Sequence, residues 1–169
     1  LKVTGPQAGF EVSSQAACVN GSIQFTDLSV SDVGIESWTW DFGDGTIQTL
    51  SSNVGVSHQY SDTGRYVVKL LVRDRAGCTN EFTLPKTINI ATAQAAFTIP
   101  DKYCPGLELP FNNTSKGDGL TYSWDFGDGT QSSDMSPMHI YSEGTYTVKL
   151  TVEDIVGCRD SVTKADLQI

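Results

Sequence analysis

Apolar and polar residues alternate along this chain in short runs, and the runs come in matched pairs. Tyr66, Val68, Leu70 and Val72 alternate with Val67, Lys69, Leu71 and Arg73; further on, Tyr146, Val148, Leu150 and Val152 alternate with Thr147, Lys149, Thr151 and Glu153. A period of two, carried by β-branched and aromatic residues, marks a strand with one buried face. Ile23 and Phe25, matched by Leu109 and Phe111, give a second such strand. Trp38, Trp40 and Phe42, matched by Tyr122, Trp124 and Phe126, put three rings on one face of a third. No stretch carries a 3.6-residue period. The pattern predicts seven strands in a first copy, near residues 9–12, 22–28, 36–42, 46–49, 57–60, 64–73 and 79–90. Seven more are predicted near 96–99, 107–113, 120–126, 130–133, 138–141, 145–153 and 159–169. Short strands separated by turn residues predict an all-β fold of two tandem antiparallel sandwiches. Pro110 lacks a ladder donor, so a bulge or an unpaired edge is expected there.

The pairing of runs reflects a true internal repeat. Trp-Asp-Phe-Gly-Asp-Gly-Thr occurs at Trp40–Thr46 and again at Trp124–Thr130, and its surroundings repeat in the same order. Cys18 and Phe25 return as Cys104 and Phe111. His58-Gln59-Tyr60 returns as His139-Ile140-Tyr141, and Ala76-Gly77-Cys78 as Val156-Gly157-Cys158. Function therefore resides in a repeated module. The expected division is an upstream remnant and linker at 1–5, one domain at 6–90, a linker at 91–95 and a second domain at 96–169. Leu1–Phe10 aligns without a gap to Ile88–Phe97, so Leu1–Val3 is expected to be the end of an earlier copy's last strand, and the chain a piece of a longer array.

The third-strand tryptophan, and Tyr66 and Tyr146 in Gly-x-Tyr at the start of the sixth strand, resemble an immunoglobulin-like sandwich with its tyrosine corner. The full order is more specific. Trp40, Asp41, Gly43, Asp44 and Gly45, then His58, then Tyr66 with its alternating strand, is similar to the PKD (polycystic kidney disease) domain. Trp124, Asp125, Gly127, Asp128, Gly129, His139 and Tyr146 repeat it. The resemblance covers nearly all of both copies. It implies seven-stranded, immunoglobulin-like, non-catalytic extracellular modules. The added cysteine pair resembles the variant found in type IX-secreted surface proteins of gliding bacteria.

The charge changes little in this picture. Eleven basic and twenty acidic residues give a net charge of −9, and no basic cluster exists to suit nucleic acid. No apolar run reaches membrane-spanning length, so direct insertion in a membrane is not expected. Asp41, Asp44, Asp125 and Asp128 are the calcium candidates, but a calcium ion takes six or more oxygens and each segment offers few. Asp-Gly reads first as a tight turn. His58 and His139 have no companion nucleophile or metal-ligand set, and are expected to bond that turn. No catalytic residue, cofactor or enzymatic activity is predicted. Most aromatic rings fall on the core face, leaving Tyr103 and Phe82 as candidates for exposure, with Val67 and Leu71 outward on the sixth strand. Ser161, in Asp160-Ser161-Val162, matches a short bacterial O-glycosylation pattern.

The four cysteines allow three pairings, and in an extracellular chain they should be oxidised. In an immunoglobulin-like sandwich Cys18 and Cys78 fall at opposite poles, as do Cys104 and Cys158. A nine-residue strand spans roughly 30 Å, whereas a disulfide needs Cα atoms within about 7 Å. Copies placed head to tail would bring Cys18 to Cys158, leaving Cys78 and Cys104 to pair with neighbouring repeats. If the first strand changes edge, Cys18 moves and the pairing within a copy stays open. The expected role is a spacer or stalk of a large bacterial cell-surface adhesin or filament. The alternative is an accessory module of a secreted hydrolase that binds polysaccharide or a surface protein.

Overall fold

A computed structural model describes residues 5–100 and 103–169. The chain divides into two compact units, Leu1–Ile90 and Ala91–Ile169, and among the described residues every regular element is a strand. The expected strand at Leu1–Val3 lies outside the described residues.

Unit 1 contains β1 (Phe10–Val12), β2 (Ala16–Cys18), β3 (Ser22–Asp27), β4 (Ile35–Asp41), β5 (Ile47–Leu50), β6 (Val56–Gln59), β7 (Gly64–Tyr66), β8 (Lys69–Asp74), β9 (Thr79–Thr83) and β10 (Ile88–Ala91). One layer has the order β1-β3-β6. The other has β5-β4-β8-β9, and β2-β10-β7 is built from the same neighbouring segments. Unit 2 contains β11 (Phe97–Thr98), β12 (Glu108–Pro110), β13 (Asn112–Asn113), β14 (Thr121–Asp125), β15 (Gln131–Ser132), β16 (Met138–Ile140), β17 (Thr145–Glu153) and β18 (Arg159–Gln168). Its β11-β13 and β12-β16 pairs repeat the first layer of unit 1, and β15-β14-β17-β18 repeats the second.

Both cores are packed by the same rings. Phe10 meets Trp40 edge-on, with centroids 5.0 Å apart, and Phe97 meets Trp124 at 5.0 Å. Phe25 lies 5.2 Å from Phe42, and Phe111 lies 5.3 Å from Phe126. Each contact joins a strand of the first layer to the end of β4 or β14, so the aromatic set ties the two layers together. Val68, Leu70 and Val72 of unit 1, and Val148, Leu150 and Val152 of unit 2, complete the buried face. Phe82 is not an exposed ring: it is half-buried and packs edge-on against Phe10 at 5.3 Å. Tyr103 is half-buried as well.

The expected strands are interrupted where the chain changes partner. The expected first strand is β1, which pairs with β3, but the turn expected after it contains a further strand, β2, which pairs with β10, so the edge switch left open by the sequence does occur. The expected 64–73 strand breaks after Tyr66, because β7 pairs with β10 while β8 pairs with β4 and β9. The expected 79–90 strand breaks at Leu84–Thr87. Leu84 still donates to the Val68 carbonyl at 2.9 Å, but Pro85 next to it has no N–H and the ladder resumes only at Ile88. Unit 2 has one residue fewer here and no proline, and β18 runs through. The expected 107–113 strand breaks at Phe111. Phe111 N donates to Pro137 O at 2.9 Å, so Pro110 directs its nitrogen to the opposite side, past the last residue pair of β11 and β13. Pro110 is thus neither bulged nor unpaired: it ends β12 opposite Met138 of β16, with its nitrogen turned away from that partner, where the missing donor costs the ladder nothing.

Trp40 and Trp124 are 1% and 0% exposed. Replacing Trp40 with alanine should lower unfolding stability by about 3–5 kcal/mol through the cavity left behind. Leu71→Ala, on the outer face, should stay within about 0.5 kcal/mol. Urea titration of the two variants checks this ordering.

Candidate functional site

The repeated heptapeptide closes the end of β4 in unit 1 and of β14 in unit 2. Asp41 Oδ1 accepts from Gly43 N at 2.9 Å, and Asp44 Oδ1 accepts from Thr46 N at 2.9 Å. Asp125 and Asp128 accept from Gly127 N and Thr130 N at 3.0 and 2.9 Å. The aspartates therefore cap turn amides. Gly43 and Gly127 have φ of 81° and 79°, and a Cβ on either would lie 2.5 Å from the carbonyl oxygen of Val67 or Thr147. Only glycine allows that approach.

The histidines bond the second aspartate of each turn. His58 Nε2 lies 2.6 Å from Asp44 Oδ2, and His139 Nε2 lies 2.7 Å from Asp128 Oδ2. Each imidazole stacks on a phenylalanine of the heptapeptide, at 4.0 Å on Phe42 and 4.2 Å on Phe126. Below them, the Tyr60 hydroxyl donates to the Phe42 carbonyl at 3.1 Å and the Tyr141 hydroxyl to that of Phe126 at 3.0 Å. Burial raises both phenol pKa values above the ordinary tyrosine value. Tyr66 donates to Asp62 O at 2.9 Å and Tyr146 to Ser142 O at 3.3 Å, forming the two tyrosine corners. Among the described residues, no group of three or more histidine, cysteine or acidic side chains is placed to hold a metal ion.

Two residues were missed by the sequence reading: Asp74 and Asp154, 0% and 5% exposed. Each opens the turn that ends in a cysteine. Asp74 Oδ1 accepts from Ala76 N at 3.0 Å and Cys78 N at 2.9 Å; Asp154 Oδ1 accepts from Val156 N and Cys158 N, both at 2.9 Å. Ser31 Oγ lies 3.5 Å from Asp74 Oδ2, but the corresponding loop of unit 2 is shorter and Asp154 Oδ2 is buried without a partner. The available signal was an aspartate at the same place in both copies, four residues before the cysteine. Asp160, of the glycosylation candidate around Ser161, accepts from Ala95 N at 2.8 Å. Asn80 does the same for Ala8 N at 2.9 Å in unit 1, which accounts for Asp160 as a structural acceptor.

The cysteines of each unit sit at opposite poles. In unit 1, Cys18 precedes a turn in which Asn20 N donates to Tyr60 O at 2.9 Å, near the start of β7. Cys78 lies beyond the far end of β8. In unit 2, Gly106 N donates to Tyr141 O at 2.9 Å beside Cys104, while Cys158 follows the nine-residue β17. The edge switch thus leaves Cys18 at the pole where the sequence placed it, and a bond within a unit is too long by the length of that strand. Cys18 and Cys158 are disulfide-bonded, whereas Cys78 and Cys104 are exposed free thiols.

A model of the PKD domain matches residues 4–90 and again 91–169. The chain belongs to the PKD domain family. Over 45 residues it is 51% identical to collagenase ColA of Bacillus cereus, covering 26% of this chain and 5% of that protein. Over 156 residues it is 25% identical to human polycystin-1, covering 83% of this chain and 3% of that protein. The crystal structure of the PKD1 domain of Vibrio anguillarum Epp matches 53% of this chain and 99% of that domain, at 28% identity and a TM-score of 0.44. The chain spans only a small fraction of these curated relatives. In this PKD pair, the family heptapeptide builds a structural turn.

The turn has a measurable acid limit. Burial alone would raise the Asp128 carboxyl, but hydrogen bonds from Thr130 and His139 outweigh it and hold the pKa down to about 2, below the ordinary value of 3.8. A depressed carboxylate contributes its full stability above its unfolded pKa and loses it as pH falls through the folded one. Stability should therefore drop as pH falls from 3.8 toward about 2, and the drop should be shallower in Asp128→Asn. Urea midpoints across that range check this.

Proposed function

We propose that this PKD pair is a non-catalytic extracellular spacer, a stalk segment of a large bacterial cell-surface adhesin or filament. Its repeats are strung head to tail and locked by a bond between Cys18 and Cys158. The observation that carries this reading is the placement of one cysteine at each pole of a rigid sandwich, with Cys18 and Cys158 oxidised. A bond between them closes a loop of about 140 residues, which the chain-entropy model converts to about 5 kcal/mol of stabilisation. It also limits bending at the junction, since Ala91–Ala95 is short and has no glycine. Calcium has no assigned role in this reading.

A second reading, an accessory binding module of a secreted hydrolase, is favoured by two observations. One is the matching segment of a collagenase. The other is the outer face of β12 and β16, where Pro110 pairs with Met138 and Glu108 with Ile140, beside an exposed Leu107. The same face of unit 1 is polar, with Ser22 opposite Gln59 and Gln24 opposite Ser57. An apolar patch confined to one repeat suits a ligand-facing surface.

Small-angle scattering separates a locked spacer from a flexible pair. The oxidised chain should give one narrow distribution of interatomic distances, and Cys18→Ser/Cys158→Ser a broader and longer one. Identical profiles would remove the locked junction. Retention of the chain on insoluble collagen or polysaccharide, lost in Met138→Ser/Ile140→Ser, would favour the binding module instead.

A further inference from the structure

The two free thiols occupy the positions of the two oxidised ones. Cys78 is the unit 1 equivalent of Cys158, and Cys104 is the unit 2 equivalent of Cys18. We propose that Cys78 of one copy of this chain and Cys104 of another form a second, directional junction, in which unlike poles meet and like poles do not. The proposal rests on the reading that Cys18 bonds Cys158, and names the partner that the remaining poles take.

The oxidised and free members of each pair are held alike. In the turn before Cys158, Asp154 N donates to Cys158 O at 3.0 Å and Gly157 N to Asp154 O at 3.0 Å; before Cys78 the same two bonds are both 2.9 Å. The buried aspartate caps both cysteine amides at 2.9 Å. At the other pole, Cys18 O accepts from Gly21 N at 2.7 Å and Cys104 O from Leu107 N at 3.3 Å. Asn20 and Gly106, the positive-φ residues of these turns at 62° and 75°, donate to Tyr60 O and Tyr141 O, both at 2.9 Å. The free thiols are thus carried on the turns that carry the bonded ones, and pairing requires no refolding of either loop. Preorganisation of this kind lowers the cost of association.

Formation of the bond needs an oxidant, which a small disulfide such as oxidised glutathione supplies. The thiolate of Cys104 attacks it and releases one glutathione thiol; the thiolate of Cys78 from the second copy then attacks the mixed disulfide and releases the other. Two protein thiols become one disulfide, and one glutathione disulfide becomes two thiols. Because the joined surfaces differ, each copy keeps one open end, and addition continues as a linear chain rather than stopping at a closed dimer.

The test mixes two variants of distinguishable mass, Cys78→Ser and Cys104→Ser, in a glutathione redox buffer, and reads the dimers by intact mass without reduction. The expected result is a Cys104–Cys78 heterodimer in at least about tenfold excess over either homodimer, equivalent to about 1.4 kcal/mol of preference. The unsubstituted chain should give a ladder of covalent oligomers in the same buffer, and Cys78→Ser/Cys104→Ser none. Homo- and heterodimers in statistical proportion, or no dimer at all, would overturn the proposal. Alkylation of the monomer reads the underlying bond separately. Blocked Cys18 and Cys158 without a heterodimer sink this inference alone, while a reactive Cys18 sinks the locked junction itself.

Discussion

Each unit depends on a column of aromatic rings that runs from one layer into the next and ends at a histidine. In unit 1, Phe10 meets Trp40, Trp40 lies parallel to Phe42 at 6.4 Å, and Phe42 is covered by His58. Tyr60 stands edge-on to that imidazole at 4.6 Å and stacks on Tyr66 at 4.4 Å. Unit 2 repeats the column with Phe97, Trp124, Phe126, His139, Tyr141 and Tyr146. A ring column of this kind needs its polar end closed, and the Asp44–His58 and Asp128–His139 pairs close it. The aspartates, glycines and histidine that resemble catalytic or metal-binding parts are thereby engaged in holding the core shut.

The same rigidity separates the poles. A sandwich whose core strands run from end to end of a layer keeps its two ends a strand length apart, and each cysteine is fixed to its end by a local turn. Asp74 and Asp154 fix one end, burying a carboxylate to satisfy the amides of the turn. Burial of such a group is costly unless hydrogen-bonded, which makes these turns sharply defined. A module built this way transmits position from one end to the other.

Much of this was legible in the sequence because the repeat supplied two readings of every pattern. The alternation at Tyr66–Val72 and Tyr146–Val152, and the ring triplets ending at Phe42 and Phe126, identify the buried faces directly. The unlike poles of the cysteines followed from strand length. What was not legible depended on partner choice. Ala16–Cys18 reads as the turn after the first strand, and nothing local says that it pairs with β10. Gly64–Asp74 reads as one alternating run although β7 and β8 pair with different strands. Phe82 was a candidate for exposure, yet its ring turns onto Phe10. Asp74 and Asp154 were missed because a charged residue after a strand reads as a solvated turn, and only the packed fold shows the carboxylate buried beneath it.

Non-reducing peptide mapping of the monomeric chain tests most directly whether the two repeats are tied together, as proposed, rather than each closed on itself. In the monomer the expected cross-linked peptide joins Cys18 to Cys158, with Cys78 and Cys104 recovered as alkylated thiols. A peptide joining Cys18 to Cys78, or Cys104 to Cys158, would contradict that tie.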